Sequence, residues 1–182
     1  GYDVTIYEAN EKAGGVLTYG IVPSRLPQEV VDFDIATIEK LGVTFNFTET
    51  IDAARLEELK AEYDAVFVGT GLWKSKVIDI PGKDLDGVVS AIDFLKDARL
   101  NKENMTLGDT VLVIGGGDVA MDCVTTAKQL GAKATIVYRR TIEEAPADID
   151  EVMAVQSMGI PIIQEFAPGA VSYTHLRAHE TS

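Results

Sequence analysis

Apolar and polar positions alternate along residues 3–8 (Asp3-Val4-Thr5-Ile6-Tyr7-Glu8), the period of a half-buried strand. In residues 27–41 the spacing changes to three and four, with Val31, Ile35, Ile38 and Leu41 on one stripe. That predicts a helix with Pro27 near its start and Gly42 just past its end. A short strand is expected at 43–47 and a short helix at 53–60. The run Asp64-Ala65-Val66-Phe67-Val68 predicts a buried strand leading into Gly69-Thr70-Gly71. After a less regular stretch holding Pro81-Gly82, a helix is expected at 90–98, a strongly apolar strand at 110–114, and a helix at 119–130 closed by Gly131. A strand at 134–138, a helix at 148–158 and a last strand at 161–165 complete the series. Strands that alternate with helices in this way predict an α/β fold with parallel sheet covered on both faces. No simple repeat or low-complexity segment interrupts it.

Composition narrows the partners. A formal net charge of -13 opposes binding to nucleic-acid phosphates and to anionic membrane surfaces. No apolar run approaches the roughly 20 residues that span a bilayer, and Gly1-Tyr2-Asp3 starts no signal peptide. One cysteine in 182 residues excludes an internal disulfide, and a reducing cytoplasm is the expected location.

Both ends read as incomplete. The chain begins inside a strand, so its natural N-terminus is expected to lie upstream. From about Val171, the segment VSYTHLRAHETS continues no helical or strand period and resembles a translated sequencing-library adapter; the alternative is a genuine disordered tail. Both histidines, His175 and His179, sit there. Their spacing of four fits a helical metal pair, but no third ligand is evident and no metal is assigned. Without that tail the chain has no histidine, which excludes histidine acid–base catalysis and catalytic triads.

The most specific motif is Val111-Leu112-Val113-Ile114-Gly115-Gly116-Gly117-Asp118-Val119-Ala120, which fits G-x-G-x-x-A. It follows an apolar strand, opens a helix and leads to a second strand, the context a dinucleotide turn requires. Gly115 suits the tight turn, Gly117 the approach of a pyrophosphate, and Ala120 close packing of helix on strand. The helix N-terminus would offer amides and partial positive charge to phosphates. The alternative is a strand–helix turn with no ligand. At the end of the next strand, Tyr138-Arg139-Arg140 stands where an NAD site commonly has an acid, and paired guanidiniums suit a 2′-phosphate. The alternative there is a solvated basic pair. Cys123, among Ala120, Val124 and Ala127, reads as a buried, inert thiol.

In the first half Glu8 closes a strand where a Rossmann-like unit places its ribose carboxylate, with Gly14-Gly15 close behind. Taken alone, these are also an ordinary strand end and turn. Together with Gly20-Ile21, Arg25-Leu26-Pro27, Gly69-Thr70-Gly71, Ile80-Pro81-Gly82, Gly87-Val88, Ala91, Phe94-Leu95, the residues 115–122 and Tyr138-Arg139-Arg140, they resemble one family in order and spacing. It is the family of the glutamate synthase small subunit and the electron-input part of dihydropyrimidine dehydrogenase. The resemblance runs from Gly1 to about Pro168. It implies two Rossmann-like dinucleotide-binding units, for FAD and NAD(P)H, both incomplete: part of an FAD domain at 1–72, a connecting segment at 73–107, part of an NAD(P)H domain at 108–168, and the artefactual tail at 169–182.

The resemblance further implies that Glu8, Gly14, Gly15 and Val16 line FAD, that Arg25 and Ile51 contact it, and that Thr70 and Gly71 pack against it. Gly116, Gly117, Asp118, Val119, Arg139 and Arg140 fall at NADP-contact positions, and Gly115 and Ala120 complete the dinucleotide motif read above. Two departures stand out. The family's first FAD glycine loop would lie upstream of Gly1, so this chain alone is expected to bind FAD poorly. Members often carry an arginine shortly after the proline matching Pro146, where this chain has Asp148, an acid that works against a 2′-phosphate. NADP is therefore favoured with NAD left open.

The implied activity is an enzyme's: hydride transfer between NAD(P)H and FAD, with no catalytic acid or nucleophile and no metal. Glu143 and Glu144 read as a solvated loop. The lone cysteine excludes dithiol chemistry and any iron–sulfur centre within this chain. Such clusters are expected only outside it, on the route to an electron-accepting subunit or domain. The competing expectation is a non-catalytic dinucleotide-binding or redox-sensing module.

Overall fold

The computed structural model describes residues 1–76 and 78–172, and residues 176–180 by backbone alone. The fold is α/β, and it divides into two compact units, Gly1–Trp73 and Lys74–Ser182. Among the described residues no helix is long and apolar enough to cross a membrane.

In the first unit, β1 (Thr5–Glu8) pairs in parallel with β2 (Thr44–Phe47), from Thr5 opposite Thr44 to Glu8 opposite Phe47. A one-turn helix, α1 (Val16–Tyr19), and a longer one, α2 (Gln28–Lys40), connect them, and α3 (Ala53–Glu62) follows. Tyr19, Val22, Val31 and Leu59 are the buried apolar residues of this unit's small core, with Ala13. Asp52 caps α3 by accepting from the Arg55 amide at 2.8 Å. The Arg55 guanidinium reaches back to Glu49 at 3.2 Å and lies 5.7 Å from the centre of the Tyr7 ring, tying α3 to the strand ends.

Two expectations fail in this unit. Leu41 falls at the C-cap of α2 and is 81% exposed instead of joining the stripe of Val31. The buried strand expected at 64–68 is irregular chain with no ladder partner, and Phe67 is 94% exposed. An apolar run of this kind becomes a buried strand only with ladder partners beside it and layers over both faces. The sheet of this unit is β1 and β2 alone, and neither pairs with it.

The second unit carries the larger core. β3 (Thr110–Ile114), β4 (Lys133–Tyr138) and β5 (Ile162–Gln164) form a parallel sheet in that order. Helices α5 (Asp118–Gln129) and α6 (Ile149–Ser157) make its crossovers. Met121 and Val124 of α5, Ile136 of β4 and Val155 of α6 are fully buried, so every layer sends a large side chain inward. An earlier helix, α4 (Ala91–Leu100), is capped by Ser90 and buries Phe94, Leu95 and Ala98. It packs on α5, where the Cys123 thiol points at the Ala91 carbonyl at 3.8 Å. This stretch, set apart in sequence as a connection, thus belongs to the second compact unit. Beyond β5 the chain forms an antiparallel pair, β6 (Phe166–Val171) and β7 (Leu176–Glu180), with an irregularity between Pro168 and Ala170. No strand period in the sequence announced this pair. The His175–His179 spacing falls outside the side chains described.

Candidate functional site

The glycine turn of the second unit grows directly out of its sheet. Because β3 and β4 run parallel, with Ile114 opposite Val137, the end of β3 and the end of β4 share one edge. The Gly115 amide continues the ladder by donating to the Val137 carbonyl at 3.1 Å. Gly115 then adopts φ 143, a left-handed conformation that a side chain would strain. A Cβ on Gly116 would sit 2.6–2.8 Å from the Tyr138 ring, so only glycine fits beneath that ring. Gly117 is the N-cap of α5 and supplies no side-chain cap to its first turn. Its carbonyl accepts from the Ala120 amide at 2.8 Å. Ala120 is buried next to Gly115, where a larger side chain would push α5 away from the strand.

The turn is closed by the segment after β4. The Ala147 amide donates to the Gly116 carbonyl at 3.1 Å, and the Asp148 amide to Asp118 Oδ1 at 2.8 Å. Thr141 and Glu144 form a capping box, legible in sequence as T-x-x-E. The Tyr138 hydroxyl donates to the Glu144 carbonyl at 3.2 Å. Arg139 and Arg140 are exposed at the end of β4, beside the turn. Asp148 caps α6 by accepting from the Asp150 amide at 2.9 Å. The structure thus gathers Gly115, Gly116, Gly117, Asp118, Val119 and Ala120 with Arg139 and Arg140 at one sheet edge. Sequence reasoning missed Tyr138 as the ring over Gly116 and the whole 141–148 segment as the cover of the turn.

The first unit's candidates are arranged more loosely. Glu8 ends β1, and its Oε1 accepts from both the backbone and side-chain nitrogens of Asn10 at 2.8 Å. A carboxylate accepts about four hydrogen bonds, so this leaves capacity for a ribose hydroxyl. The Glu49 amide donates to the Glu8 carbonyl at 3.1 Å, which brings the chain leading to half-buried Ile51 to the same edge. Gly14 and Gly15 form the turn into α1. A Cβ on Gly14 would lie 2.2 Å from Thr18 Oγ1 and 2.8 Å from Val31, so this turn is filled by the protein's own packing. The buried Thr18 hydroxyl donates to the Ala13 carbonyl at 2.7 Å. Tyr19 accepts from the Lys12 amide at 2.9 Å, and burial raises its phenol pKa. Val16 and Arg25 are exposed beside this segment, and Thr70 and Gly71 stand on the exposed, unpaired stretch after α3. A shallow depression of about 180 Å³ near Leu56, Tyr63 and Val66 contains none of these candidates. It is smaller than the roughly 300 Å³ at which ligand pockets begin.

Among the described residues no cluster of three or more His, Cys, Asp or Glu could hold a metal. Cys123 is buried, and desolvation pushes its thiol up to about 12, as suits an inert side chain.

Comparison with known proteins gives a consistent picture. The family model for pyridine nucleotide-disulphide oxidoreductases matches residues 1–165. The NAD-dependent dihydropyrimidine dehydrogenase subunit PreT of Escherichia coli K12 is 42% identical, over 97% of this chain and 44% of that protein. The beta subunit of the NADP(+)-dependent formate dehydrogenase of Moorella thermoacetica is 38% identical, over 88% of this chain and 23% of that protein. The glutamate synthase [NADPH] small chain of Azospirillum brasilense is 36% identical, over 92% and 38%. The chain spans less than half the length of each. Among solved structures, a 2-naphthoyl-CoA reductase complex superposes with a TM-score of 0.78 at 21% identity, over 98% of this chain and 26% of the other. FprA from Mycobacterium tuberculosis gives 0.77 at 16% identity, over 98% and 60%. These two share the fold.

Proposed function

The chain belongs to the pyridine nucleotide-disulphide oxidoreductase family, and from that premise we propose that it is part of a flavoprotein oxidoreductase that moves a hydride between NAD(P)H and FAD. The carrying observation is the turn Gly115-Gly116-Gly117, held at one sheet edge beside Arg139 and Arg140. The second unit, as part of the NAD(P)H domain, binds the nicotinamide dinucleotide there. The amides at the start of α5 face its pyrophosphate, and the two arginines face the adenosine ribose. The first unit, as part of the FAD domain, uses Glu8 for the flavin nucleotide's ribose, with Gly14, Gly15, Val16, Arg25, Ile51, Thr70 and Gly71 along the same ligand. The two cofactors supply hydride transfer between nicotinamide C4 and flavin N5, and the protein's part is to bind and orient them.

NADP(H) is the preferred nucleotide in this reading. The named relatives divide on the point, since PreT is called NAD-dependent and the other two carry NADP(+) or NADPH in their names. The exposed arginine pair is what favours the 2′-phosphate here. The relatives are named as subunits or chains of larger enzymes, which supports electron delivery to a partner subunit or domain. A cytoplasmic location agrees with the single, reduced Cys123.

Anaerobic mixing of NADPH with the longer FAD-loaded protein of which this chain is a part tests this reading. Rapid bleaching of the flavin band is expected. Tight nucleotide binding with no flavin reduction would instead identify a non-catalytic dinucleotide-binding module.

A further inference from the structure

Tyr138 is placed where three things meet. Its ring lies against Gly116, so closely that no Cβ fits between them. Its hydroxyl donates to the Glu144 carbonyl at 3.2 Å. Its backbone leads straight into Arg139 and Arg140. The arginine pair forms the bend just past β4, and the Glu165 amide holds its far end by donating to the Arg140 carbonyl at 3.2 Å. On the near side, the chain from Thr141 turns back over the glycine turn. It is held by the Thr141–Glu144 capping box, by the Ile142 amide donating to Gln164 Oε1 at 2.7 Å, and by the Ala147 and Asp148 amides.

Exposed arginine side chains lose considerable rotamer freedom when they grip an anion. The total ordering cost is smaller when their backbone is already fixed, since only the side chains then remain to be ordered. We propose that Tyr138 is a positioning residue for nucleotide choice: by locking the 141–148 segment to the glycine turn it fixes Arg139 and Arg140, so that preference for a 2′-phosphate depends on a hydroxyl engaged by Glu144. This rests on the proposed nucleotide site and deepens it. A tyrosine that only filled space under the turn would support the pyrophosphate, which NAD and NADP share. A tyrosine that fixes the arginines acts on the 2′-phosphate alone.

The experiment is calorimetric titration of the full chain with NADP+ and with NAD+, before and after Tyr138→Phe. That change keeps the ring on Gly116 and removes only the hydroxyl. NADP+ binding is expected to weaken about three- to tenfold, the worth of one neutral hydrogen bond, with NAD+ binding moved less than about twofold. Equal weakening of both nucleotides, or no change in either, overturns the proposal. If Tyr138→Phe fails to fold, Thr141→Val opens the capping box at a partly exposed site and is expected to lower the same ratio. An unchanged ratio in the folded Thr141→Val chain overturns the proposal as well. An unmodified chain that binds neither nucleotide defeats the underlying functional reading, and this inference with it. Binding with an unshifted ratio defeats the role of Tyr138 alone.

Discussion

The two units contain the same local device, glycines leading into a helix, and build different things with it. In the second unit the turn joins β3 to the 12-residue α5, and the space left by the missing Gly116 side chain admits the Tyr138 ring. In the first unit Gly14 and Gly15 lead into the four-residue α1, and the corresponding space is taken by Thr18 and Val31. A long helix brings an aligned set of amides and a useful partial charge to its N-terminus, which one turn does not. A glycine turn thus acquires its chemistry from the helix behind it and the segment over it.

Several substitutions would sharpen or break this contrast. The largest effect is expected in the cores. Ile136→Ala, at a fully buried site of the three-stranded sheet, should cost about 2–5 kcal/mol by denaturant unfolding. Leu59→Ala in the smaller core should fall near the low end of that range, and equal losses would undo the view that the second unit is the better packed. Next come the arginines. Arg139→Ala or Arg140→Ala should each weaken NADP+ binding by about 1.5–3 kcal/mol and flatten its salt dependence, with little change for NAD+. Identical losses for both nucleotides would remove the case for a 2′-phosphate site.

Gly116→Ala should destabilise by about 1–3 kcal/mol, the range for overpacking, and abolish nucleotide binding. Gly14→Ala should cost about as much stability and leave nucleotide binding by the second unit intact. Smaller again are the helix caps: Asp52→Ala and Ser90→Ala should each cost about 1 kcal/mol in thermal unfolding. The smallest effect at neutral pH comes from Cys123. Burial keeps its thiol protonated in the folded state, from a usual 9.0 up to about 12. The unfolded chain therefore loses this proton first. The stabilising preference is complete below pH 9 and disappears as pH rises toward 12. A Cys123→Ala chain should lack that part of the alkaline loss of stability, and folded Cys123 should resist maleimide at pH 8 until urea exposes it.

Legibility follows locality. The strand Thr110–Ile114, the helix behind the glycine turn and its alanine could be read from sequence because strand–turn–helix is decided within about a dozen neighbouring residues. The strand expected at 64–68 could not be read safely, because a ladder is a relation to another segment, and its apolar run meets no partner strand here. Leu41 fits the stripe of α2 by spacing, yet α2 ends one residue short of it. In the candidate site the glycines and arginines were visible as residue types. Tyr138 was visible as the strand end before the arginine pair, but the place of its ring was not, because nothing in its own neighbourhood encodes Gly116, 22 places upstream.

Taken by itself, the sequence determined the α/β alternation, the glycine turn, the charge that opposes nucleic acid, and the single cysteine among these 182 residues. Each depends on local periodicity, residue chemistry or simple counting. Tertiary structure alone decided which apolar runs became strands, that α4 joins the second unit, and that Tyr138, Asp118 and residues 141–148 close over the turn. Those outcomes depend on contacts between residues far apart in the chain. Such contacts form only once parallel pairing has set the ends of β3 and β4 side by side.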